Sequence, residues 1–262
     1  MQVSDVCRFM DSFAPLELKE SWDNCGLLIG DPLQDVERLM TCLTLTPESV
    51  VAAIKKRVNM IVAHHPLLFK PQKAITTKTT EGILIRELIK ADISVYCSHT
   101  PFDAAERGIN QQLAEMLDLQ SILPLEPPAD SSLQGGMGRF GELEQVITLE
   151  TLLNTIRDKL DLPFVQYVGD TDNLVKRIAL CSGAGGEYIA QAKKFACDTF
   201  LTGEANFHAQ LEARACGMNL VLMTHFACER FACVNLADTL QEEFPDIEVW
   251  ACDETDPLQM FV

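Results

Sequence analysis

The sequence predicts an α/β protein whose sheets are parallel or mixed and are covered by helices. Short runs rich in apolar and β-branched residues alternate with helical patterns along most of the chain, which is typical of α/β units. The 262 residues include 47 % hydrophobic ones, enough for a sizeable core in one large domain or two modest ones. A segment rich in Pro, Gly and Ser, residues 123–141, separates two halves that repeat the same alternation.

In the first half, apolar runs predict strands and the residues between them predict helices. The Pro47-Glu48-Ser49 segment predicts a helix start, because proline is tolerated in the first turn of a helix. Leucines at helical spacing predict the last helix before the break. The predicted elements are strand 38–46, helix 47–57, strand 60–63, helix 81–90, strand 93–98 and helix 104–117.

The second half continues the alternation to the end of the chain. Its strands are again short and apolar, and its helices are again amphipathic. The predicted elements are helix 151–160, strand 177–181, helix 187–195, strand 199–202, helix 205–216, strand 220–223, helix 227–243 and strand 247–250.

Charge and hydropathy exclude several classes of partner. The net charge of −17 argues against duplex nucleic acid, because phosphates would be repelled. The sequence has no apolar run of 18 residues and no secretory signal, so we expect a cytoplasmic protein without membrane contact. The ten cysteines form no C-x-x-C pair and several lie in apolar runs, which predicts reduced, buried thiols.

The histidines follow the predicted strands. His64 and His65 come directly after strand 60–63, His99 follows strand 93–98, and His225 follows strand 220–223. In open α/β sheets, ligands bind at the carboxyl ends of the strands. The pattern therefore predicts a binding site that collects these side chains.

The types of residue at these strand ends predict a metal site. His225 and Glu229 are four residues apart, so they share one face of a helix. Together with His64, His65 and Asp103 they make five ligands, which suits two cations that share a bridging carboxylate. Mixed imidazole and carboxylate ligands favour Zn, Mn, Fe, Co or Ni over Ca or Mg. Taken singly, a His-x-x-x-Glu pair is also common as a surface ion pair, and His-His-Pro as a turn.

Several other polar residues have two interpretations. His99 is a candidate proton carrier or a residue that orients a ligand. Glu204 and His208, four apart, are candidates for the same two roles. The glycine-rich turn 182–186 either binds a phosphate through its backbone or is a tight structural turn.

Seven sequence blocks resemble the NIF-three-like family in the order in which they occur. They are ESWDNCGLLIGDP, AHHPLLF, SHTPFDAAERGIN, GMGRFGEL, CSGAGGEYI, DTFLTGEANFH and THFACER. The resemblance implies two intertwined α/β repeats with mixed sheets. It divides the chain into a first repeat with the N-terminal metal ligands (residues 1–122), a second repeat (123–224) and a C-terminal segment that returns to the first repeat (225–262).

The resemblance also implies a dinuclear metal centre and a ring-shaped homohexamer. By motif, His64, His65, Asp103, His225 and Glu229 are the ligands, and Glu229 bridges the two cations. The chain departs from the family pattern at Thr224, where the family often has glycine, and at Cys228 within the last block.

Two classes of function remain open. Bacterial members of this family are often labelled GTP cyclohydrolase type 2 homologues, which implies a metal-dependent hydrolase with a nucleotide or another small anionic substrate. His99 is its candidate catalytic residue, and Arg107 and Arg230 are candidates for binding an anionic group. The alternative is a metal-binding scaffold or protein-interaction ring without turnover.

Overall fold

The computed structural model describes residues 1–259 as a mixed α/β fold. The strands are β1 (Gly26–Ile29), β2 (Arg38–Cys42), β3 (Met60–Ala63), β4 (Ser94–Cys97), β5 (Gln120–Glu126), β6 (Met137–Thr148), β7 (Gln166–Val168), β8 (Leu174–Cys181), β9 (Thr199–Thr202), β10 (Asn219–Leu222) and β11 (Glu248–Ala251). The α-helices are α1 (Val3–Phe13), α2 (Pro47–Lys55), α3 (Thr80–Lys90), α4 (Thr100–Ala104), α5 (Ile109–Met116), α6 (Leu149–Lys159), α7 (Ile189–Lys194), α8 (Phe207–Ala215) and α9 (His225–Glu243). Over these residues, no helix combines the length and the apolarity that crossing a bilayer requires.

The chain forms two compact units. Unit 1 consists of residues 1–102 and 230–255, and unit 2 consists of residues 103–229 together with the described residues from Asp256 onward. The chain thus leaves unit 1 after Phe102 and returns to it at Arg230, inside α9. These bounds differ from the predicted ranges 1–122, 123–224 and 225–262, and the division into duplicated repeats stays a prediction.

Unit 1 contains a five-stranded sheet in the order β1-β4-β3-β2-β11. The last four strands of that order are parallel, and β1 is antiparallel to β4. Every residue of β3 and β4 is buried, as expected for strands covered on both faces. The core of this unit packs Met40, Ile61 and Val95 of the sheet with Val50 and Leu88 of the helices.

Unit 2 contains a six-stranded sheet in the order β5-β6-β8-β9-β10-β7. The strands β8, β9 and β10 are parallel, whereas β5, β6 and β7 pair antiparallel with their neighbours. Its core packs Ala179, Phe200 and Leu220 of the sheet with Ile189 and Ala213 of the helices. Both sheets are mixed, so the predicted fold class is confirmed.

Local sequence explains where several helices begin. The Thr46 side chain accepts a hydrogen bond from a backbone N–H in the first turn of α2, and Pro47 follows as the first helical residue. Thr79, Thr148 and Asn206 cap α3, α6 and α8 in the same way. Each cap satisfies a backbone donor that the helix itself leaves without an acceptor.

The segment 123–141 differs from the prediction of a connection between halves. It contributes to β5 and β6, which pair antiparallel within the sheet of unit 2. β5 is an edge strand with one neighbouring strand, so the missing N–H of Pro124 does not break a hydrogen bond to a second one. Most residues of β5 are exposed or half-buried. The helix α1 and the short edge strand β7 were likewise not predicted.

Candidate metal centre

Strand register brings three histidines of unit 1 to one sheet edge. Cys42 of β2 lies opposite Ala63 of β3, and Ala63 lies opposite Cys97 of β4, so the three parallel strands end at the same level. His64 and His65 follow β3 directly, and His99 follows β4 after one residue. This is the carboxyl edge of the sheet, where the sequence predicted a site.

The three imidazoles of this edge form one cluster, which we call the histidine cluster (His64, His65 and His99). The ring centroids are 4.8 Å apart for His64 and His65, 5.2 Å for His64 and His99, and 5.6 Å for His65 and His99. One nitrogen from each ring lies within 4.8 Å of the others, a spacing that lets all three approach a common ion. His64 is buried and the other two are half-buried.

Hydrogen bonds to the Nδ1 atoms orient two of these rings as metal ligands. His64 Nδ1 lies 3.0 Å from the carbonyl oxygen of Ser98, which can only accept, so Nδ1 carries the proton. In the neutral ring, Nε2 then has the lone pair that a cation requires. His65 Nδ1 lies 2.7 Å from the hydroxyl of Thr44, which can play the same orienting role.

His99 is oriented by Asp23, a residue for which the sequence favoured a capping role in a turn over a position facing the pocket. His99 Nδ1 donates to Asp23 Oδ1 over 3.0 Å, and the Asp23 side chain has no exposed surface. The backbone N–H and the hydroxyl of Thr100 both donate to the other carboxylate oxygen. Burial raises the pKa of Asp23, but the hydrogen bonds from His99, Thr100 and Cys25 outweigh it and hold this pKa well below its usual range.

Unit 2 has a similar edge at the ends of its parallel strands. Cys181 of β8 and Leu222 of β10 both lie opposite Thr202 of β9, so these three strands also end at one level. Glu204 follows β9, and α9 begins with His225 shortly after β10. As predicted, His225 and Glu229 lie on one helix, and His225 Nε2 is 3.2 Å from Glu229 Oε2.

Carboxylates surround His225 within unit 2. Its Nδ1 atom is 3.3 Å from Glu204 Oε1, so Glu204 lies next to a predicted ligand. The hydrogen bond with Glu229 raises the pKa of His225 to about 9 against the opposing effect of burial, and the charges of Glu229, Glu204 and Asp103 raise it further. His208 is exposed on α8, where its ring contacts that of Phe207.

Asp103 is fixed by a buried hydrogen-bond network. The Ser182 hydroxyl donates to Asp103 Oδ1 over 2.9 Å. The Asn110 side chain accepts from Ser182 N and donates to the Asp103 carbonyl oxygen. Ser182 and Asn110 fall in two of the quoted sequence blocks, but nothing local marks them as partners of Asp103.

Two backbone N–H groups of the glycine-rich turn 182–186 donate hydrogen bonds to side chains of the protein. The N–H of Gly183 donates to the sulfur of Cys228, and the N–H of Gly185 donates to the hydroxyl of Thr202. Gly183 has φ of +64°, and a Cβ atom there would lie 2.6 Å from Glu229 Oε1. The turn therefore has a structural role in placing Glu229, which favours the second of its two interpretations.

Thr224, where the family often has glycine, occupies a left-handed backbone conformation. Its φ is +62°, which is unusual for a β-branched residue. Its hydroxyl accepts from Ala227 N at the start of α9 and donates to Asp256 Oδ2. These two hydrogen bonds offset part of the strain and keep His225 at the start of the helix.

A cavity of about 450 Å³ opens beside His225 in unit 2. Its lining combines the carboxylates of Glu204 and Asp256 with the aromatic rings of Phe164 and Phe226. In unit 1, the guanidinium of Arg230 contacts Glu254 Oε2 at 3.2 Å and the carbonyl oxygen of Cys252, and its role in binding an anion stays a prediction.

The donors at both edges fit divalent transition-metal cations. Imidazole nitrogen and carboxylate oxygen are the ligands such ions prefer, and the His64 tautomer leaves the nitrogen opposite Ser98 protonated, as in a ligating histidine. Within residues 1–259 all ten cysteines are free, and most of these thiols are buried.

These features define a mixed α/β protein that carries histidine and glutamate groups able to hold a metal ion. The chain belongs to the Duf34/NIF3 (NGG1p interacting factor 3) family, whose sequence pattern matches residues 1–257. The resemblance inferred from the seven sequence blocks is thereby confirmed.

Similar proteins support the same assignment. A protein of Clostridium perfringens is 32 % identical over 262 residues, covers 99 % of both chains and is named GTP cyclohydrolase 1 type 2 homolog. A protein of Nostoc sp. with the same name is 33 % identical over 92 % of both chains. The crystal structure of a Staphylococcus aureus hypothetical protein has a TM-score of 0.91 at 30 % identity and covers 100 % of this chain and 99 % of its own. A Bacillus cereus protein related to NIF3, at 24 % identity, has the same fold with a TM-score of 0.90 over 100 % of this chain and 99 % of its own.

Proposed function

We propose that this protein is a metal-dependent hydrolase with a dinuclear centre. The proposed ligands are His64, His65, Asp103, His225 and Glu229, with Glu229 as the bridging carboxylate. The cations are two divalent ions of Zn, Mn, Fe, Co or Ni. The observation that carries this proposal is the histidine cluster, which gathers three of the five histidines of the chain at one sheet edge.

Contacts within unit 2 support the assignment of Asp103 and Glu229 as ligands. The Ser182 and Asn110 contacts fix the orientation of Asp103, and the glycine turn leaves room for the Glu229 carboxylate. Hydrogen bonds that hold a side chain in one orientation are typical of metal ligands, because the ligand atoms must keep a fixed geometry.

His99 is the proposed catalytic residue. Two bound cations would supply Lewis acidity that makes water a nucleophile near neutral pH. Because Nδ1–H of His99 is donated to Asp23, its Nε2 atom is the one that accepts a proton during attack and returns it to the leaving group. Asp23 keeps the ring in this tautomer and stabilises its protonated form, as an acid does behind a catalytic histidine.

The proposed substrate is a nucleotide or another small anion. The support comes from relatives named GTP cyclohydrolase 1 type 2 homolog, at 32–33 % identity. A homohexamer in the cytoplasm belongs to the same proposal and is supported by the family resemblance. Size-exclusion chromatography with multi-angle light scattering measures the molar mass and therefore tests the hexamer.

Metal analysis of the purified protein tests the ligand set. We expect about two divalent ions per chain by elemental analysis, in keeping with a two-metal site. His64→Ala and Glu229→Ala should each lose metal, whereas His208→Ala, a control histidine exposed on α8, should retain it. Equal metal content in all four proteins would disprove the assignment.

Turnover tests the catalytic part separately. The metal-loaded protein is screened against nucleotides, phosphoesters and pterins. With any substrate found, His99→Ala should lower kcat by roughly 10²–10⁴-fold, the usual contribution of a general acid–base group, at unchanged metal content. Full metal occupancy without turnover of any compound would instead support the scaffold alternative.

A further inference from the structure

Unit 1 contains a groove next to the histidine cluster. None of the residues that line this groove is a proposed metal ligand. The groove has a volume of about 370 Å³ and lies among Trp22, Asn24 and the segment 68–72. The Asn24 side-chain amide donates to the Leu68 carbonyl oxygen over 2.6 Å, which ties the two walls together. We call this feature the aromatic groove.

The aromatic groove is walled by two large rings that remain exposed. Trp22 is 56 % exposed and Phe69 is 44 % exposed, and their ring centroids are 5.7 Å apart. Aromatic side chains are enriched at binding interfaces, where burial of their rings contributes free energy. Both rings also contact His99 edge-on, at 5.9 Å and 6.4 Å between centroids.

A segment with lysines and no acidic residue forms one side of the groove in an otherwise acidic protein. Lys70 lies in its lining, and Lys73 and Lys78 follow in the same exposed segment. From Pro66 to Thr80 the chain has these three lysines and no Asp or Glu, against a net charge of −17 for the whole chain. Local positive charge of this kind attracts anions that the rest of the surface repels.

We propose that the aromatic groove binds the ring of a planar, negatively charged substrate. The substrate ring stacks on Trp22 and contacts Phe69, whose ring is tilted by 57° from the indole, and the anionic group lies near Lys70. A nucleotide has this chemistry. Stacking on aromatic side chains accepts any flat heterocycle, while the lysine selects for an anion. The inference rests on the proposed function, because it places such a substrate beside His99.

The chain allows a direct optical test of this binding. The protein has two tryptophans, and Trp250→Phe leaves Trp22 as the only fluorescent indole. The full-length protein is treated with a chelator and titrated with guanosine 5′-monophosphate, guanosine and ribose 5-phosphate. We expect the first two to quench Trp22 fluorescence and the last to leave it unchanged.

Variants separate stacking from charge. Phe69→Ala should weaken binding of the nucleotide and the nucleoside by roughly tenfold, within the range typical of base stacking, and Phe69→Tyr should restore it. Lys70→Gln should weaken only the nucleotide, with an effect that falls as salt is added. Phe207→Ala and Lys90→Gln serve as controls, because both residues are exposed and lie outside the groove.

The measurement distinguishes this inference from the proposed function. Binding without metal and without turnover would leave the groove assignment intact even if the hydrolase proposal fails. Absence of quenching, or equal nucleotide affinity of Phe69→Ala and wild type, would overturn the groove assignment whatever the metal content. A change in molar mass of Phe69→Ala with unchanged nucleotide affinity would also overturn it and would identify the surface as a contact between copies of the chain.

Discussion

Replacing Asp23 by Asn tests how the buried carboxylate holds His99. The variant keeps the size and one acceptor oxygen of the side chain but replaces the other oxygen with an NH₂ donor. In the wild type, Asp23 Oδ1 accepts from His99 Nδ1, and Oδ2 accepts from the N–H and the hydroxyl of Thr100. Whichever way the amide turns, a donor on His99 or Thr100 meets the new NH₂ group.

The expected loss of stability follows from this mismatch. A hydrogen bond to a charged group contributes about 1.5–3 kcal/mol, and a buried donor without an acceptor costs about 1–3 kcal/mol. The Thr100 hydroxyl can rotate and turn its lone pair to the amide, which recovers part of the loss. We therefore expect Asp23→Asn to lower the free energy of unfolding by about 2–4 kcal/mol at pH 7.

The difference between wild type and variant should depend on pH. The pKa of Asp23 in the folded protein is lowered below the value of about 3.9 for an unfolded aspartate. A lowered folded pKa means that the stabilisation is complete above about pH 5 and is lost as the pH falls through about 4 toward the folded pKa. Asparagine does not titrate, so the difference in unfolding free energy should narrow between pH 5 and pH 3.

Urea denaturation followed by tryptophan fluorescence measures the unfolding of unit 1, because Trp22 and Trp250 both lie in that unit together with Asp23. Asp92→Asn is the matched control. Asp92 is exposed in unit 1 with a φ of +55°, a conformation that asparagine tolerates, so its effect should stay within about 0.5 kcal/mol. An Asp23→Asn protein as stable as wild type at pH 7, or a deficit that is constant down to pH 3, would refute the role assigned to this carboxylate.

Two further substitutions test the supporting contacts of the metal ligands. Gly183→Ala should lower metal content, because its Cβ would displace the Glu229 carboxylate, whereas Gly217→Ala has a similar positive φ with nothing within 4 Å and should retain metal. Both should lose about 1–2 kcal/mol of stability from the strained backbone, so metal loss in both or in neither would contradict the argument. Thr44→Val removes the hydroxyl 2.7 Å from His65 Nδ1 and should weaken metal binding by roughly 10–100-fold, as measured by competition with a chelating dye. An unchanged dissociation constant would show that Thr44 does not orient the ring of His65.

The sequence predicted most strands and helices because their signals are local. Strand 60–63 was predicted at the bounds that the structure shows for β3, and the start of α2 at Pro47 is set by residues within one turn. The sequence also placed His64, His65 and His99 at one sheet edge, since parallel strands end together. The ligand set of five residues stays a prediction from sequence motifs.

The missed elements have signals that depend on their neighbours in space. β5 contains a proline and has mostly exposed or half-buried residues, so its strand character comes from pairing with β6 and not from an apolar run. The 12 residues of β6 begin within a segment whose glycines are typical of a loop. The antiparallel pairing of β5 with β6, and not a local sequence signal, makes this segment part of the sheet.

What the sequence alone determined is the alternation of strands and helices and the chemistry available at the strand ends. Only the tertiary structure decided which side chains support that chemistry. Asp23 meets His99 from 76 residues away, and Ser182 meets Asp103 from 79 residues away. No periodicity or spacing encodes such partners, because a hydrogen bond over that separation exists only after the sheets have aligned the ends of their strands.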